Sequence, residues 1–561
     1  MKLFLKHIFL LGFLVAFASP AVAASPANTV IMQIDSQHAV VDGAVNELQT
    51  APSIRDGVTL VPLRFIVEVF GAEVVWNTAD KEITLRQGER VIRFWPGSSE
   101  VVVDGTVHAI TGAPVVENGV TLVPLRFLVK NLDYEINFLP VTKEIHIKQL
   151  PPPNLPPVAE FEISNDTVAQ GETVYYKEKS FDPDGDELVE SKWSGRERAF
   201  FAPGDHEVSL QVKDKHGAWS EPYTVVIRVT DEVKMDEITY NLHNPIAGQP
   251  LNMADIPVLE IKPLDPVVMM NKEKIMISNS PETLQRDGIL YSDVLSGENR
   301  LYYHHLNGSN KTKSIYLLAV NQGTNTVDLT VNKWGVAGPA DPLAVGRLAA
   351  HRYLNFKHPD MPQSYKLLPG EKVILNEGSS NVVKPGQTTH GIFGVNADND
   401  LLFAVVAAGS REQLAEFEKL PVLARDGKHI RGTYLRANRN VAVRLNTKQP
   451  ARLVVADGDD DSFLYGKDEE VIYRNKGNYG LIYRINIQSK YRVGVLFSAR
   501  GGVFAGAGAW QGEAFNLPNQ GILKAREGCV IGIVEPGQER TLEFIPPAGS
   551  YLPINLIFIP F

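Results

Sequence analysis

Asp56-Gly-Val-Thr-Leu-Val-Pro-Leu-Arg-Phe65 returns almost unchanged as Asn118-Gly-Val-Thr-Leu-Val-Pro-Leu-Arg-Phe127, an offset of 62 residues (118 − 56) with no insertion inside the block. A duplication at fixed offset is a statement about architecture, because each copy must fold as the same small unit. A unit of that size buries little surface alone, so the two copies are expected to share one core.

Working outward from the block, each copy reads in the same order. A strand ends in Asp-Gly, at Val40-Val-Asp-Gly43 and Val102-Val-Asp-Gly105, and Asp-Gly is a strong hairpin signal. A second turn follows at Asp56-Gly57 and Asn118-Gly119, then Thr-Leu-Val-Pro. Pro62 and Pro124 suit the first turn of a helix, where a missing N–H costs nothing. Leu63, Val67 and Phe70 share one helix face, as do Leu125, Val129 and Leu132. Gly71 is placed to cap the first helix. Strands at Glu73–Trp76 and Lys81–Leu85 complete the first copy, and Glu135–Phe138 and Lys143–Ile147 the second. Each unit is a helix laid on an antiparallel sheet. Arg64 and Arg126 stand early in the two helices. The structural reading has each guanidinium tie its helix to a turn carbonyl or a carboxylate; the functional reading has it contact a ligand.

The pattern resembles the copper amine oxidase N-terminal-like, or stalk, domain, on the strength of Gly-Val-Thr-Leu-Val-Pro-Leu-Arg-Phe in both copies. The resemblance implies an exported, non-catalytic appendage. It does not bring the oxidase chemistry with it. The catalytic domain of that family needs a His-x-His pair and an Asn-Tyr-Asp/Glu core. This chain has no His-x-His, and its Asn478-Tyr479 is followed by Gly480. Copper is therefore not expected.

Pro151-Pro-Pro-Asn-Leu-Pro-Pro157 reads as a semi-rigid polyproline linker. Residues 158–231 read as a β-sandwich, with an alternating strand at Gly204–Asp214 that sets Val208, Leu210 and Val212 on one face. Pro157, Ala159, Phe161, Asp182-Pro-Asp-Gly-Asp186, Trp193, Gly204, Asp214 and Gly217 resemble a PKD-type immunoglobulin-like domain. Ser194-Gly195 departs from the Asp-Phe-Gly-Asp-Gly of that pattern. Such domains serve as spacers or interaction modules.

Residues 240–561 are β-rich, with turn signals at short intervals and strands expected at 314–320, 327–331, 372–375, 401–407, 441–445, 481–487, 491–497 and 554–559. Asp341 caps a helix with Pro342 at its first position and Ala344, Leu348 and His351 on one stripe. Arg411–Leu420 reads as a second helix. Residues 277–331, with Asn279-Ser-Pro-Glu282, His304-His305-Leu-Asn307 and Asn321-Gln-Gly323, resemble an uncharacterised family of exported β proteins from cyanobacteria, a likeness that implies no activity.

No Gly-x-Ser-x-Gly, His-Glu-x-x-His, Walker or Rossmann pattern is present, and no catalytic residue is assigned. Gly501–Gly508 reads as a tight β segment. Neighbouring residues of a strand point to opposite faces, so His304 and His305 are expected one buried and one exposed; a metal would need a distant His351 or His390 as well. Asp457, Asp459, Asp461 and Asp468 imitate calcium-loop positions 1, 3, 5 and 12, although Ser462 stands where such loops need Gly. Asp182, Asp184 and Asp186 imitate positions 1, 3 and 5, and also form a good turn. Calcium is the only cation these loops point to; no other cofactor is expected.

The chain of 561 residues is long enough for about three or four domains. A net charge of −10 leaves no footprint for nucleic acid. Cys529 is the single cysteine, which excludes an intrachain disulfide and reads as a small buried apolar residue. Lys2 and Lys6, the apolar run Ile8–Ala18 and Ala21-Val22-Ala23 form a leader, residues 1–23. No later run is apolar enough to span a bilayer.

The domains expected are thus 1–23 leader, 24–149 stalk repeats, 150–157 linker, 158–231 immunoglobulin-like domain and 240–561 β-rich region. The fold class is mainly β and multidomain, with α+β repeats in front. The function expected is that of an exported, non-enzymatic modular protein. It would be extracellular and associated with the cell wall through surface polymers or envelope proteins. The alternative is a secreted carbohydrate-active enzyme with its site in 240–561.

Overall fold

The computed structural model describes residues 27–357, 362–468, 471–500 and 502–561. Residues 1–23, read from the sequence as a leader, lie outside them. The chain divides into two compact units. One holds residues up to Val158 together with Phe181–Glu190 and Lys213–Ser220; the other holds Ala159–Ser180, Ser191–Val212 and Glu221–Phe561.

In the first unit the duplication becomes an approximate two-fold symmetry. The strands Val58–Pro62 and Val120–Pro124 pair antiparallel, and Val61 lies opposite Val123, its own counterpart in the other copy. The copies also exchange strands. One five-stranded sheet joins Thr29–Gln33, His38–Val41 and Ala44–Glu47 to Tyr134–Leu139 and Glu144–Gln149. The other joins Arg90–Phe94, Glu100–Val103 and Thr106–Ala109 to Glu73–Asn77 and Glu82–Gln87. Each sheet is therefore the start of one copy completed by the end of the other. One apolar core draws on both, with Ile66, Val67 and Phe70 beside Leu128, Val129 and Leu132.

Local chemistry explains the joints. Asp42-Gly43 and Asp104-Gly105 carry positive φ at both residues, the backbone that a two-residue hairpin with right-handed strand twist requires. Pro62 and Pro124 close their strands and stand just before the helices Leu63–Val69 and Leu125–Asn131, in extended backbone, rather than in the first helical turn. Gly71 takes φ 67° just past the first helix, and its counterpart Asp133 takes φ 58°. Aspartate tolerates this left-handed position better than most residues.

The proline-rich stretch is tied down rather than free. The Asn154 side chain donates to Asp214 at 2.8 Å, and the Leu155 N–H donates to Asp184 at 2.6 Å. Both aspartates lie in segments that group with the first unit.

In the second unit Gly204–Leu210 pairs antiparallel with Tyr223–Val229, and Thr167–Gln170 runs parallel beside the strand Tyr223–Val233. Phe161 packs on Trp193 with ring centroids 4.8 Å apart. Further on, a five-stranded and a six-stranded sheet face each other. Val495, Phe497, Cys529 and Leu556 from one interdigitate with Val441, Ile485, Ile487 and Leu542 from the other. A larger sheet is built on two long strands, Gly288–Asn307 and Thr388–Ala408, paired antiparallel over their length.

The strands foreseen in this half are present, several of them longer. Two helix readings change. Asp341 does cap Pro342–Leu354, accepting from the Ala344 N–H at 3.0 Å, but the buried stripe is Val345, Ala349 and Tyr353, and Leu348 is 41% exposed. The residues 412–419 form a kinked 3-10 segment rather than an α-helix. Only Leu414 and Phe417 are buried there, too few to hold a regular amphipathic helix.

Candidate functional site

The first unit carries a groove of about 640 Å³. Helix Leu125–Asn131 sets Arg126 and Lys130 along one edge, four residues apart and so on one helix face. Strand Tyr134–Leu139 adds Ile136 and Phe138; the first copy contributes Ile54. Phe138 is 39% exposed and Ile54 48%. His108 completes the basic edge, and no aspartate or glutamate lines the groove. Arg126 was expected to tie its helix to a turn or a carboxylate. Among the described residues neither Arg126 nor Arg64 makes a hydrogen bond or ion pair. Both side chains are exposed, so the anchoring reading fails for both.

The second unit holds a buried polar cluster. Antiparallel pairing sets His304 opposite His390, with ring centroids 5.3 Å apart. His305, expected to be exposed if His304 is buried, is buried as well, because both faces of this sheet are covered. His305 donates to the Pro281 carbonyl at 2.9 Å and accepts from Ser278 at 2.9 Å. His390 Nδ1 donates to the Tyr303 carbonyl at 2.6 Å. Among the described residues both His304 ring nitrogens and His390 Nε2 lack a partner. Burial drives all three imidazoles to the neutral form. It lowers His304 far below its ordinary value, His305 to about 4 and His390 to about 3. His351, on its helix, is not part of this pair.

At the edge of the same region His429 bridges two carboxylates, Asp426 at 2.7 Å and Glu282 at 3.1 Å. Burial raises Glu282 above the usual carboxylate range, while His429 opposes the shift. Burial also works to raise Asp426, but the N–H groups of His429, Glu282 and Lys428 and the His429 ring outweigh it and hold this carboxyl well below the usual range. Chain separation hid this trio: Glu282 and Asp426 lie 144 residues apart.

The acidic loops are occupied by protein donors. Asp457 accepts the Asp459 and Asp461 N–H groups, each at 3.0 Å. Asp461 accepts from the Tyr483 hydroxyl at 2.7 Å and pairs with buried Arg439. Asp468 does not join them. It sits between Arg425 and Arg431, at 2.6 and 2.9 Å. Asp182 accepts the Asp184 and Asp186 N–H groups at 2.8 and 3.2 Å, and Asp186 pairs with Lys215 at 2.6 Å. Among the described residues no group of three His, Cys, Asp or Glu side chains is arranged to hold a metal ion. Cys529 is buried, and burial pushes its thiol far up. No helix among the described residues is long and apolar enough to cross a membrane.

The family described as "Copper amine oxidase N-terminal domain" matches residues 18–83 and again 40–147. No curated protein matches the chain. Among solved structures, the PKD1 domain of Vibrio anguillarum Epp is 32% identical; the match covers 14% of this chain and 99% of that one, at a TM-score of 0.12. A structure from work on promiscuous specificity in carbohydrate-binding modules of the β-sandwich superfamily is 13% identical, covering 45% and 97%, at 0.14. Chitinase ChiA74 from Bacillus thuringiensis is 11% identical, covering 60% and 42%, at 0.13. At those TM-scores none of the three structural likenesses carries an argument.

Proposed function

From a chain that carries copper amine oxidase N-terminal domain repeats in front and a PKD-type domain behind them, we propose an exported, non-enzymatic, modular protein of the cell envelope. In this reading the stalk and immunoglobulin-like modules present the C-terminal β domain and hold the chain to cell-wall or surface polymers. The observation that supports it is the stalk groove. It is apolar on its floor, basic on its edge, free of carboxylates and open, on a chain whose net charge is −10. Concave apolar sites with a few convergent polar groups are how proteins hold extended or ring-bearing ligands. None of the catalytic motifs sought in the sequence is present, and the family matched in front is named for an N-terminal domain.

The deciding experiment is sedimentation of residues 24–561 with purified cell wall. Retention of the chain on the wall is expected. A chain that stays in the supernatant with wall and with isolated surface polymers would overturn the reading. Turnover of any polysaccharide in the same preparations would overturn its non-enzymatic part.

A further inference from the structure

We infer that the stalk groove binds an anionic glycan, a sugar polymer carrying phosphate or carboxylate groups, and that only the second copy of the repeat is built for it. The inference rests on the wall-polymer reading and names its ligand and its site.

Three observations carry it. The first is the disposition of charge. Arg126 and Lys130 project from one helix face into the groove, and among the described residues neither has an ion-pair partner. A cation without a protein counter-charge is available to a ligand anion, and a guanidinium matches phosphate or carboxylate through two parallel N–H donors. The second is the exposed Phe138 ring beside those cations. An exposed aromatic face in a concave site offers a flat apolar platform, on which the C–H face of a sugar ring can lie while its acidic substituent reaches the helix.

The third observation is an internal control supplied by the duplication. Subtracting 62 from each position gives Arg64 for Arg126 and Trp76 for Phe138, so the arginine and an exposed aromatic ring occur in both copies. The remaining basic positions differ: Glu68 stands for Lys130 and Asn46 for His108. Counting the two helix positions, the second copy carries +2 and the first carries zero (Arg64 with Glu68). The fold is common to both copies, so the fold does not require Lys130 or His108. Their chemistry in the second copy suits an anion, and the first copy lacks it.

The test uses the full mature chain, with binding measured calorimetrically. The probes are glycerol-phosphate teichoic acid, polygalacturonate and uncharged dextran. Binding of an anionic polymer but not of dextran is expected, weakening as salt rises. Lys130→Glu copies the residue that the first repeat already tolerates on the same backbone. It should weaken the anionic polymer by about tenfold or more, the scale of one lost charge-assisted contact. Phe138→Ala should weaken it as well, while Glu68→Lys in the first copy should leave it intact or strengthen it. A wild-type chain that sediments with wall but binds neither anionic polymer overturns this inference and leaves the envelope reading standing. So does a Lys130→Glu chain that binds like wild type. A wild-type chain that does not sediment with wall overturns the envelope reading itself.

Discussion

Arg55 and Glu117 occupy the same position in the two stalk copies and pair with each other, the two terminal guanidinium nitrogens of Arg55 donating to the two carboxylate oxygens of Glu117. Their positions differ by 62, and they meet because the strands around Val61 and Val123 pair counterpart to counterpart. Residues on such an axis meet their own equivalents, so an unchanged duplicate would place like charges together. The exchange of arginine for glutamate at one copy turns that repulsion into an ion pair.

The pair is exposed, with side chains 44% and 38% accessible, and exposed pairs contribute little. Arg55→Ala should leave the thermal midpoint essentially unchanged. Arg55→Glu, which restores like charges on the axis, should lower it, and Arg55→Glu with Glu117→Arg should recover it. Thermal denaturation of the four proteins checks the set.

Ile66 and its counterpart Leu128 are fully buried in one shared core. Replacing either by Ala should cost about 2–5 kcal/mol. Because each sheet contains strands from both copies, neither copy can unfold alone. Both variants should show the loss as a single displaced transition of the stalk, followed by urea denaturation; two separate stalk transitions would count against the shared core.

The buried histidines set the acid response of the second unit. An unfolded imidazole titrates near 6.5, whereas His305 and His390 titrate near 4 and 3 in the fold, and His304 lies far below its ordinary value. The unfolded chain therefore binds more protons across this window. The stability these groups contribute is complete above about pH 6.5 and is lost as pH falls toward the folded values, by roughly 1 kcal/mol per pH unit for each histidine. His304→Phe deletes no hydrogen bond among the described residues and removes one of these proton-linked losses. Its stability should fall less steeply than wild type between pH 6 and 4, as read from chemical denaturation at stepped pH.

Arg439 is 2% exposed and pairs with Asp461, whose other oxygen accepts from Tyr483 and from the Ala456 N–H. Removing one partner of a buried pair strands the other charge. Asp461→Asn should cost about 3–5 kcal/mol, and Arg439→Met with Asp461→Asn should cost less than the sum of the two single changes. A double-mutant cycle by urea denaturation decides it.

Much of the architecture was legible because local chemistry repeats. Asp-Gly turns, Pro before the helix, and strand alternation act over a few residues, and the 62-residue offset repeats them intact. The C-terminal strands were legible for the same reason. The helix stripes were read less well. The sequence set Ala344, Leu348 and His351 on one stripe, but the buried stripe is Val345, Ala349 and Tyr353, because which face a short helix buries depends on the sheet it meets, and that sheet comes from elsewhere in the chain.

Of the candidate site, the sequence singled out Arg126 but not the groove around it. Phe138 and Ile54 come from different copies and different sheets, and they meet only in the folded groove. His304 and His390 are 86 residues apart (390 − 304) and meet through the register of two long strands. Asp468 matched a calcium-loop spacing, yet two arginines claim it.

By itself the sequence determined that the front of the chain is a duplicated strand–helix unit, because turn and helix signals act through nearest neighbours, and the small size of that unit pointed to a shared core. Tertiary structure alone decided which strands the copies exchange, that Arg55 meets Glu117, and that Arg126, Lys130 and His108 line one groove with no acid beside them. Those outcomes depend on pairing between distant strands, and short-range spacing holds no record of which distant strand will be the partner.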